Sequence, residues 1–366
     1  MSTPSLSCPR PWRKIFAAAV LLTPFFALVP PAGAGEVLRV GVGTSLLADP
    51  AEAAREAALQ AKQNFGDAEE AKLVLVYAAM PMFTPALVES LAEHFPAGIL
   101  YGSQAAAPLT PDTNVPDAPQ LDADTGVGVL AMGGEVSIKF YAQTTEAADD
   151  PELEAIIGDG NTVYPEYAAY RLAGRRLGAQ MAAAMADCPS PGHLAVTGGD
   201  QNTGPNVEVA AGLGESLGNR FPVVGAASAR DPQTGEDREL IAGELTSGMI
   251  FAVSICGDFR LGQSRQQGQH TPETTDLAMA SALAEGDGAQ PLFAFIFDCR
   301  RRRLMMREND ELADEHAVFL RRMDGVPFFG MYGPGEIGAT AFGEPVEGVA
   351  FSVATAVLFP LEDEGR

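Results

Sequence analysis

Apolar runs alternate with amphipathic stretches along most of the chain, in an order that occurs three times. The first copy opens with the apolar run Leu73–Ala78, and the stretch Pro85–Phe95 follows with its apolar residues on one helical face. A proline-led segment, Pro96–Gly102, and a second apolar run, Gly126–Met132, complete the copy. This order predicts a strand, a helix and two further strands.

Two later segments repeat this order. Any α/β chain alternates strands and helices, so the alternative is an accident of composition, but the recurring proline-to-glycine detail favours a true repeat. We therefore predict an α/β fold of mixed sheets built from repeated strand–helix–strand units, with Gly102, Gly225 and either Gly330 or Gly333 in corresponding turns. The later copies comprise His193–Thr197, Val207–Leu217, Phe221–Ser228 and Ser247–Cys256, and then Leu292–Phe297, Glu308–Arg322, Gly325–Gly338 and Gly348–Phe359.

Four further stretches surround the repeats. Asp49-Pro50 marks the start of a helix over Ala51–Phe65, and the alternating stretch before it, Val37–Gly43, predicts a strand. An alanine-rich helix over Tyr164–Met185 links the first two units. The polar, proline-rich stretch Ala105–Asp124 is predicted to be a surface loop that could act as a lid.

The third copy holds the densest cluster of glycines. A buried strand over Val326–Tyr332 leads into a predicted turn with one carboxylate, Glu336. Glycines there permit positive φ and the close approach of another molecule. Tyr101 and Gly102 stand at the same spacing from a proline as Tyr332 and Gly333. We expect both turns to line one pocket formed by Tyr101, Gly102, Ser103, Tyr332, Gly335 and Glu336.

The first 34 residues have the organisation of a signal peptide. A basic start, Arg10–Lys14, precedes the apolar run Ile15–Val29, and Ala32-Gly33-Ala34 supplies the small residues that a signal peptidase reads. The apolar run is short for a membrane span, which needs ~20 residues, and an uncleaved anchor is the alternative. We predict cleavage after Ala34 and a periplasmic or secreted mature chain without membrane insertion.

The composition is globular and acidic. The formal net charge is −24, and removing the three cations of the predicted leader, which has no acidic residues, leaves −27. This charge repels nucleic acid, so no nucleic-acid partner is expected. The remaining length suffices for two or three lobes with a substantial core.

Three cysteines remain after the predicted cleavage: Cys188, Cys256 and Cys299. They have no metal-like spacing, and no metal is expected. Buried free thiols are the favoured interpretation. A bridge between Cys256 and Cys299 is the alternative, because each ends an apolar run and export permits disulfides.

Catalytic signatures are mostly absent. The sequence contains no nucleophile elbow, no phosphate-binding loop and no zinc-protease helix, and its four histidines are scattered. The basic run Arg300–Arg303 follows a buried strand, so Arg300 or a neighbour could face a cleft and hold a carboxylate. A solvated turn neutralised by nearby acidic residues is the alternative.

Several segments resemble the FIST sensory-domain family over about Val37 to Leu358. Pro327–Gly338 is similar to its Gly-Phe-x-x-x-Gly-Glu-Ile-Gly signature, Leu100–Ala105 to its Gly-x-Ser-Thr turn, and Phe297–Arg300 to its Cys-x-x-Arg region. The segment Arg220–Ala226 resembles the second half of the N-terminal domain. The resemblance implies an N-terminal-like domain over 35–270, with halves at about 35–150 and 160–262, and a C-terminal-like domain over 271–366.

The resemblance also implies a module that senses small molecules such as amino acids, with haem bound by some relatives. We expect a non-catalytic sensor of an amino acid or small carboxylate, with Glu336 accepting from the ammonium group and a membrane-bound signalling partner. The alternatives are a haem-binding redox or gas sensor, and a hydrolase or transferase using Ser103 or Cys299; apart from haem, no cofactor is expected. The expected ligand-binding residues are Tyr101, Gly102, Ser103, Cys299, Arg300, Tyr332, Gly335 and Glu336.

Overall fold

The structure is a computed structural model that describes residues 38–66, 71–113, 126–146, 150–158, 160, 162–185, 188, 192–199, 203–231 and 235–361. The predicted signal peptide lies outside these residues. The strands and helices fall into three consecutive units. The first unit contains β1 (Arg39–Ser45), α1 (Pro50–Phe65), β2 (Leu73–Ala79), α2 (Pro85–Ala92), β3 (Leu100–Ala105), β4 (Ala107–Leu109) and β5 (Val127–Gly133).

The second and third units follow the same plan with additional short elements. The second contains β6 (Ser137–Thr144), α3 (Pro151–Gly158), α4 (Ala168–Ala184), β7 (His193–Gly199), α5 (Thr203–Leu217), β8 (Val223–Ala226), β9 (Glu239–Ile241), β10 (Glu244–Thr246) and β11 (Met249–Cys256). The third contains β12 (Phe259–Gln267), α6 (Pro272–Ala284), β13 (Phe293–Cys299), α7 (Arg300–Glu308), α8 (Leu312–Met323), β14 (Phe328–Gly333), β15 (Glu336–Gly338), β16 (Glu347–Val349) and β17 (Ser352–Pro360).

The three units share one topology, which confirms the predicted repeat and the mixed α/β class. Each has a parallel pair, β2 with β3, β7 with β8 and β13 with β14. The last strand of each unit returns antiparallel to the first member of that pair, and the first strand of the unit pairs with this returning strand. Three mixed sheets result, which we call sheet one, sheet two and sheet three after their units.

Each unit also gives a short strand to the sheet of another unit. β4 leaves the first unit and pairs with β14 in sheet three. β9 leaves the second unit and pairs with β3 in sheet one, and β15 leaves the third unit and pairs with β8 in sheet two. The exchange is cyclic, so every joint between two sheets is crossed by a continuous chain.

The three sheets enclose one central core and carry their helices on the outside. Inward-facing residues of all three sheets form a single cluster that includes Tyr77, Phe251, Phe297 and Phe329. On the outer faces, α1 and α2 pack on sheet one, α4 and α5 on sheet two, and α6 and α8 on sheet three. Burying apolar surface on both faces explains why the central strands are nearly continuous apolar runs.

The strand registers identify the equivalent glycines. Gly102 pairs with Val76, Gly225 with Thr197 and Gly330 with Ile296 in the three parallel pairs. A Cβ atom at these glycines would lie 2.0, 2.3 and 1.5 Å from the carbonyl oxygen of the paired residue. The predicted equivalence therefore holds for Gly330 rather than Gly333, and the three glycines lie within strands rather than turns.

Helix predictions in the flanking regions are confirmed with small shifts, whereas the third unit differs. The predicted helix over Glu308–Arg322 is α8, which begins at Leu312. The basic run that was expected to form a turn or cleft rim begins a separate helix, α7. Part of the predicted loop Ala105–Asp124 is strand β4, and residues 114–125 lie outside the described residues.

The cysteine interpretation was wrong in part. Cys188 and Cys256 form a disulfide, and Cys299 is the buried free thiol. Cys256 ends β11, which runs antiparallel to β7, so it lies beside His193 at the beginning of β7. Cys188 precedes that same strand, whereas Cys299 is at the carboxyl end of β13. Strand direction therefore separates Cys256 from Cys299 and brings it to Cys188.

Candidate functional site

Glu336 lies at the first position of β15, where the strand from the third unit enters sheet two. Its side chain is fully buried. One carboxylate oxygen, Oε2, accepts hydrogen bonds from the Ser352 hydroxyl at 2.9 Å and the Ser352 backbone N–H at 3.2 Å. The other oxygen, Oε1, has no hydrogen-bond partner among the described residues. Burial raises the pKa of the Glu336 carboxyl to about 8, although the Ser352 hydrogen bonds oppose the rise.

Cys299 lies beside this carboxylate at the start of α7. Its sulfur is within reach of the backbone N–H groups of Phe351, Arg302 and Arg301. Burial, followed by the charge of Glu336, raises the pKa of the Cys299 thiol to about 12. The sulfur is therefore a protonated thiol near neutral pH, and a thiol is a weak donor suited to the neighbouring carboxylate.

Asn206, near the start of α5, supports Glu336 from the side. Its Nδ2 donates to the backbone carbonyl oxygen of Glu336 at 2.9 Å, and its Oδ1 has no hydrogen-bond partner within the described residues. A Cβ atom on Gly335 would lie 3.1 Å from that Nδ2, so glycine lets the amide approach. Asn206 and Glu336 together contribute two buried oxygens that still need donors.

A buried arginine network underlies the site on the helix side of sheet three. Arg302 is fully buried, and its guanidinium donates to Asp298 Oδ1 at 2.8 Å and to Glu315 Oε1 at 3.1 Å. It also donates to Thr275 Oγ1 at 2.8 Å. Tyr332 completes the network by donating its hydroxyl to Glu315 Oε2 at 2.9 Å. The second oxygen of Asp298, Oδ2, is buried without a hydrogen-bond partner in the described chain.

The charges in this network act on one another. Burial raises the pKa of Asp298, Arg302 opposes the rise, and the charges of Glu315 and Glu336 add to it. Burial lowers the pKa of Arg302, but the two carboxylates outweigh it and the net shift is upward. Arg302 is thus a fixed cation within a group of buried carboxylates.

Arg302, rather than Arg300, is the arginine of this group. Arg300 is half-buried at the first position of α7, and Arg301 is exposed. Asp298 is near the end of β13, and α7 begins two residues later at Arg300. The first turn of α7 brings Arg302, four positions after Asp298, back beside that carboxylate. The basic run itself carried the signal, but helical spacing from Asp298 was needed to choose among its members.

A strained residue lies on the solvent side of the site. Phe351 has φ of +60° and is 41% exposed, directly before Ser352 in the chain. Its ring lies against that of His270, with 5.2 Å between centroids. Non-glycine residues with such φ values are uncommon and concentrate at ligand sites and switches. Phe351 is therefore a strained residue directly beside the serine that binds Glu336.

The residues expected on the other pocket wall lie in β3 of sheet one. Tyr101 stacks on Phe140 at 4.2 Å between centroids. Gly102 packs on β2, and Ser103 is fully buried with no hydrogen-bond partner for its hydroxyl among the described residues. β3 pairs with β9 in sheet one, whereas Glu336 is in β15, which pairs with β8 in sheet two. A shared pocket wall with Glu336 stays a prediction.

The glycines around Glu336 act through close packing rather than positive φ. Gly333, Gly335 and Gly338 all have φ values outside the left-handed region, so none of them uses the positive φ that glycine permits. The segment does not turn freely because Glu336–Gly338 is paired on both sides, with β8 and β16. A Cβ atom on Gly333 would lie 2.8 Å from that of Ala226, which shows how closely the strand ends meet.

Metal-binding clusters and membrane-spanning helices are both absent from the described residues. They contain no group of three or more His, Cys, Asp or Glu side chains arranged to hold a metal ion. Of the buried histidines, His316 is bonded through Nε2 to the Pro111 carbonyl oxygen at 3.0 Å, and His193 packs edge-on against Phe221. Within the same residues, none of the helices is both long and apolar enough for a membrane crossing.

Comparison with known proteins identifies the family. No curated protein matches the chain. The family model for the FIST N domain matches residues 72–274, which is more than half of the chain and includes the first parallel pair, the second unit and the start of the third. FIST domains are sensory domains. The chain therefore belongs to the FIST family, as the motifs around Gly102 and Glu336 predicted.

Proposed function

We propose that this protein is a non-catalytic sensor that binds a small amine-bearing molecule, best matched by an amino acid, at Glu336. The observation that supports this most directly is the surplus of buried acceptors. Glu336 Oε1, Asn206 Oδ1 and Asp298 Oδ2 all lack hydrogen-bond donors among the described residues. Buried acceptors without donors are costly, and one ammonium group brings three donors in a compact volume.

The charge of the site favours a cationic group over an anionic one. Glu336 and Asp298 are both buried with raised pKa values. A ligand ammonium near them would lower those pKa values and stabilise the carboxylates. The carboxylate of an amino acid would then need a separate donor, and the basic start of α7, with Arg300 and Arg301 directly after Cys299, is the candidate that the sequence suggested.

Two observations weigh against catalysis by the candidate nucleophiles. The pKa of Cys299 is raised to about 12, the opposite of what an activated thiolate needs. The Ser103 hydroxyl has no hydrogen-bond partner in the described chain, whereas a nucleophilic serine is paired with a base.

A thermal-shift screen of L-amino acids, simple amines and small carboxylates on residues 35–366 tests this proposal. An amino acid or amine present at ~100 times its Kd should stabilise the protein by ~2.7 kcal/mol. Glu336→Gln should abolish that response. Glu344→Gln, at an exposed carboxylate between β15 and β16, is the matched control and should keep it.

Retention of the full response by Glu336→Gln would refute the site, and a response to carboxylates alone would refute the ligand class. An absorption spectrum of the same sample checks the haem alternative, for which a Soret band would be decisive. Export is tested separately. Protein produced with its leader should begin at Gly35 by N-terminal sequencing, and a mature chain beginning near Met1 would indicate an anchor instead.

A sensor must pass its state to another component, and we include a membrane-bound signalling partner in the proposal. The cyclic strand exchange supports this role because a change at one joint bears on two sheets. Crosslinking in whole cells, with and without the amino acid that gives the largest thermal shift, should recover a membrane protein in a ligand-dependent amount. Recovery that does not depend on that amino acid would contradict the signalling role.

A further inference from the structure

The internal repeat places a second glutamate at the position equivalent to Glu336. In sheet two, Ile337 pairs with the repeat glycine Gly225, and Glu336 pairs with the residue after it. In sheet one, Leu240 pairs with the repeat glycine Gly102, and Glu239 pairs with the residue after it. The two glutamates therefore have the same place on their exchanged strands.

The third copy does not have this carboxylate. In sheet three, the repeat glycine pairs with Leu109, and Pro108 pairs with the residue after it. Proline has no acceptor or charge in its side chain. Two of the three equivalent joints thus carry a glutamate, and any ligand chemistry that depends on it is confined to those two.

The surroundings of the two glutamates also correspond. Both side chains are fully buried. Glu336 accepts a hydrogen bond from the Ser352 hydroxyl at 2.9 Å, and Glu239 accepts one from the Ser228 hydroxyl at 2.9 Å. Ser352 begins β17, whereas Ser228 follows β8. The two glutamates therefore have the same kind of partner, a serine hydroxyl, although the serines occupy different places in their units.

Sheet one adds two hydroxyl groups beside its glutamate. Ser103 pairs directly with Glu239 on one side and with Tyr77 on the other, so the three side chains form a row on the inner face. Directly opposed residues of an antiparallel pair, such as Ser103 and Glu239, have Cβ atoms ~4.5–5.5 Å apart. Ser103 Oγ and the Tyr77 hydroxyl are both fully buried and have no hydrogen-bond partner among the described residues.

This row matches the two ends of an amino acid. A carboxylate accepts hydrogen bonds, and Ser103 and Tyr77 offer two hydroxyl donors that nothing in the described chain uses. An ammonium group donates hydrogen bonds, and Glu239 is an acceptor one strand away. Aromatic rings complete the surroundings, since Tyr77 stacks on Phe329 at 5.2 Å between centroids.

We propose that Glu239, Ser103 and Tyr77 form a second binding site, for another molecule of the amine-bearing class assigned to Glu336. The inference rests on the proposed function for its ligand class but uses different residues in a different sheet. The Glu336 joint has Ala226 where the Glu239 joint has Ser103. The two sites therefore hold the ligand carboxylate by different donors, and their affinities are expected to differ.

Equilibrium dialysis of residues 35–366 against a mixture of 14C-labelled L-amino acids measures the number of sites. The wild-type chain should bind two molecules per chain at saturation. Glu239→Gln and Glu336→Gln should each bind one, and the double variant should bind none. Circular dichroism and melting temperature of each variant show whether it is folded.

Ser103→Ala provides a test that does not depend on removing a buried charge. The Ser103 hydroxyl has no partner in the described structure, so its removal should not lower the melting temperature. Combined with Glu336→Gln, it should weaken the remaining site about tenfold, which corresponds to loss of one hydrogen bond. Combined with Glu239→Gln, it should leave the remaining affinity unchanged.

The outcomes separate this inference from the proposed function. One result would overturn the second site and leave the first intact. In that case the wild-type chain binds one molecule, Glu336→Gln binds none, and Glu239→Gln binds as much as wild type. Equal affinity of Glu336→Gln with and without Ser103→Ala would also overturn it. Absence of binding by the wild-type chain would overturn both.

Discussion

The raised pKa of Glu336 makes a quantitative prediction about stability and pH. In the folded chain the Glu336 carboxyl keeps its proton up to about pH 8, whereas an unfolded glutamate loses it near 4.5. Between these values the folded state binds more protons than the unfolded state. The free energy of unfolding must therefore fall as pH rises, by ~1.36 kcal/mol for each pH unit.

The magnitude follows from the gap between the two pKa values. Over the whole interval from 4.5 to about 8, Glu336 can remove at most about 5 kcal/mol from the free energy of unfolding. This stabilising contribution is fully present below pH 4.5 and is lost as pH passes through 8. Such a change is a large fraction of the stability of an ordinary domain, which is ~5–15 kcal/mol.

Glu336→Gln isolates this contribution, because glutamine has the same shape and cannot ionise. Urea denaturation of both proteins at pH 5, 6, 7, 8 and 9 gives the difference in free energy of unfolding at each pH. Titrating groups that do not interact with Glu336 cancel in that difference. The wild-type protein should become less stable relative to the variant by ~4 kcal/mol between pH 5 and 8, with no further change above the folded pKa.

Ser352→Ala provides the matched perturbation. The Ser352 hydroxyl donates to Glu336 and opposes the rise of its pKa, so its removal should move the loss of stability to higher pH. A difference between wild type and Glu336→Gln that stays constant from pH 5 to 9 would refute the reasoning. It would mean that Glu336 binds the same number of protons in the folded and unfolded states.

Three further predictions concern the frame around the site. Arg302→Met should lower the free energy of unfolding, measured by urea denaturation, by ~3–5 kcal/mol, because two buried carboxylates lose their cation. The control Arg301→Met, at an exposed position, should change it by less than ~0.5 kcal/mol. Similar losses in the two variants would contradict the network. Gly330→Ala should lower the free energy of unfolding by ~1–3 kcal/mol or more, since its Cβ would lie 1.5 Å from a carbonyl oxygen. An unchanged midpoint of urea denaturation would contradict this packing. Reduction of the Cys188–Cys256 disulfide, whose cysteines are 68 residues apart, should lower the free energy of unfolding by ~4 kcal/mol. The double variant Cys188→Ala, Cys256→Ala should have the same melting temperature with and without reductant. A wild-type melting temperature that reductant does not change would contradict the disulfide.

The repeat could be predicted from sequence because the parallel strands are buried on both faces and appear as apolar runs. Its alignment was less certain, since the spacing of proline, tyrosine and glycine around Tyr101 matches the spacing around Tyr332. Strand register aligns Gly102 with Gly330 instead, which is three residues earlier than that match. The close approach of Gly330 to the neighbouring strand is a three-dimensional requirement that residue spacing alone does not express.

The disulfide and the buried arginine depended on geometry that the sequence did not supply. The pairing of Cys256 follows from the direction of β11, and direction is fixed only when the strand order is known. Arg302 was one of four adjacent arginines, and only the helix beginning at Arg300 selects it as the partner of Asp298. The burial of Glu336 was more accessible to prediction, because a single carboxylate among glycines and apolar residues is expected to lie in the interior, as it does.

Strand exchange gives the two glutamates a position from which ligand binding could be communicated. Glu336 is carried by the third unit but paired within sheet two, while its serine partner, Ser352, begins the returning strand of sheet three. A molecule bound there would meet Glu336 of the third unit and Asn206 of the second unit. Glu239 stands in the same relation to the second unit and sheet one. The joint with Pro108 has no carboxylate. The two joints that would respond to a ligand therefore both involve the second unit. A signalling partner that contacts the second unit would detect ligand binding at either joint.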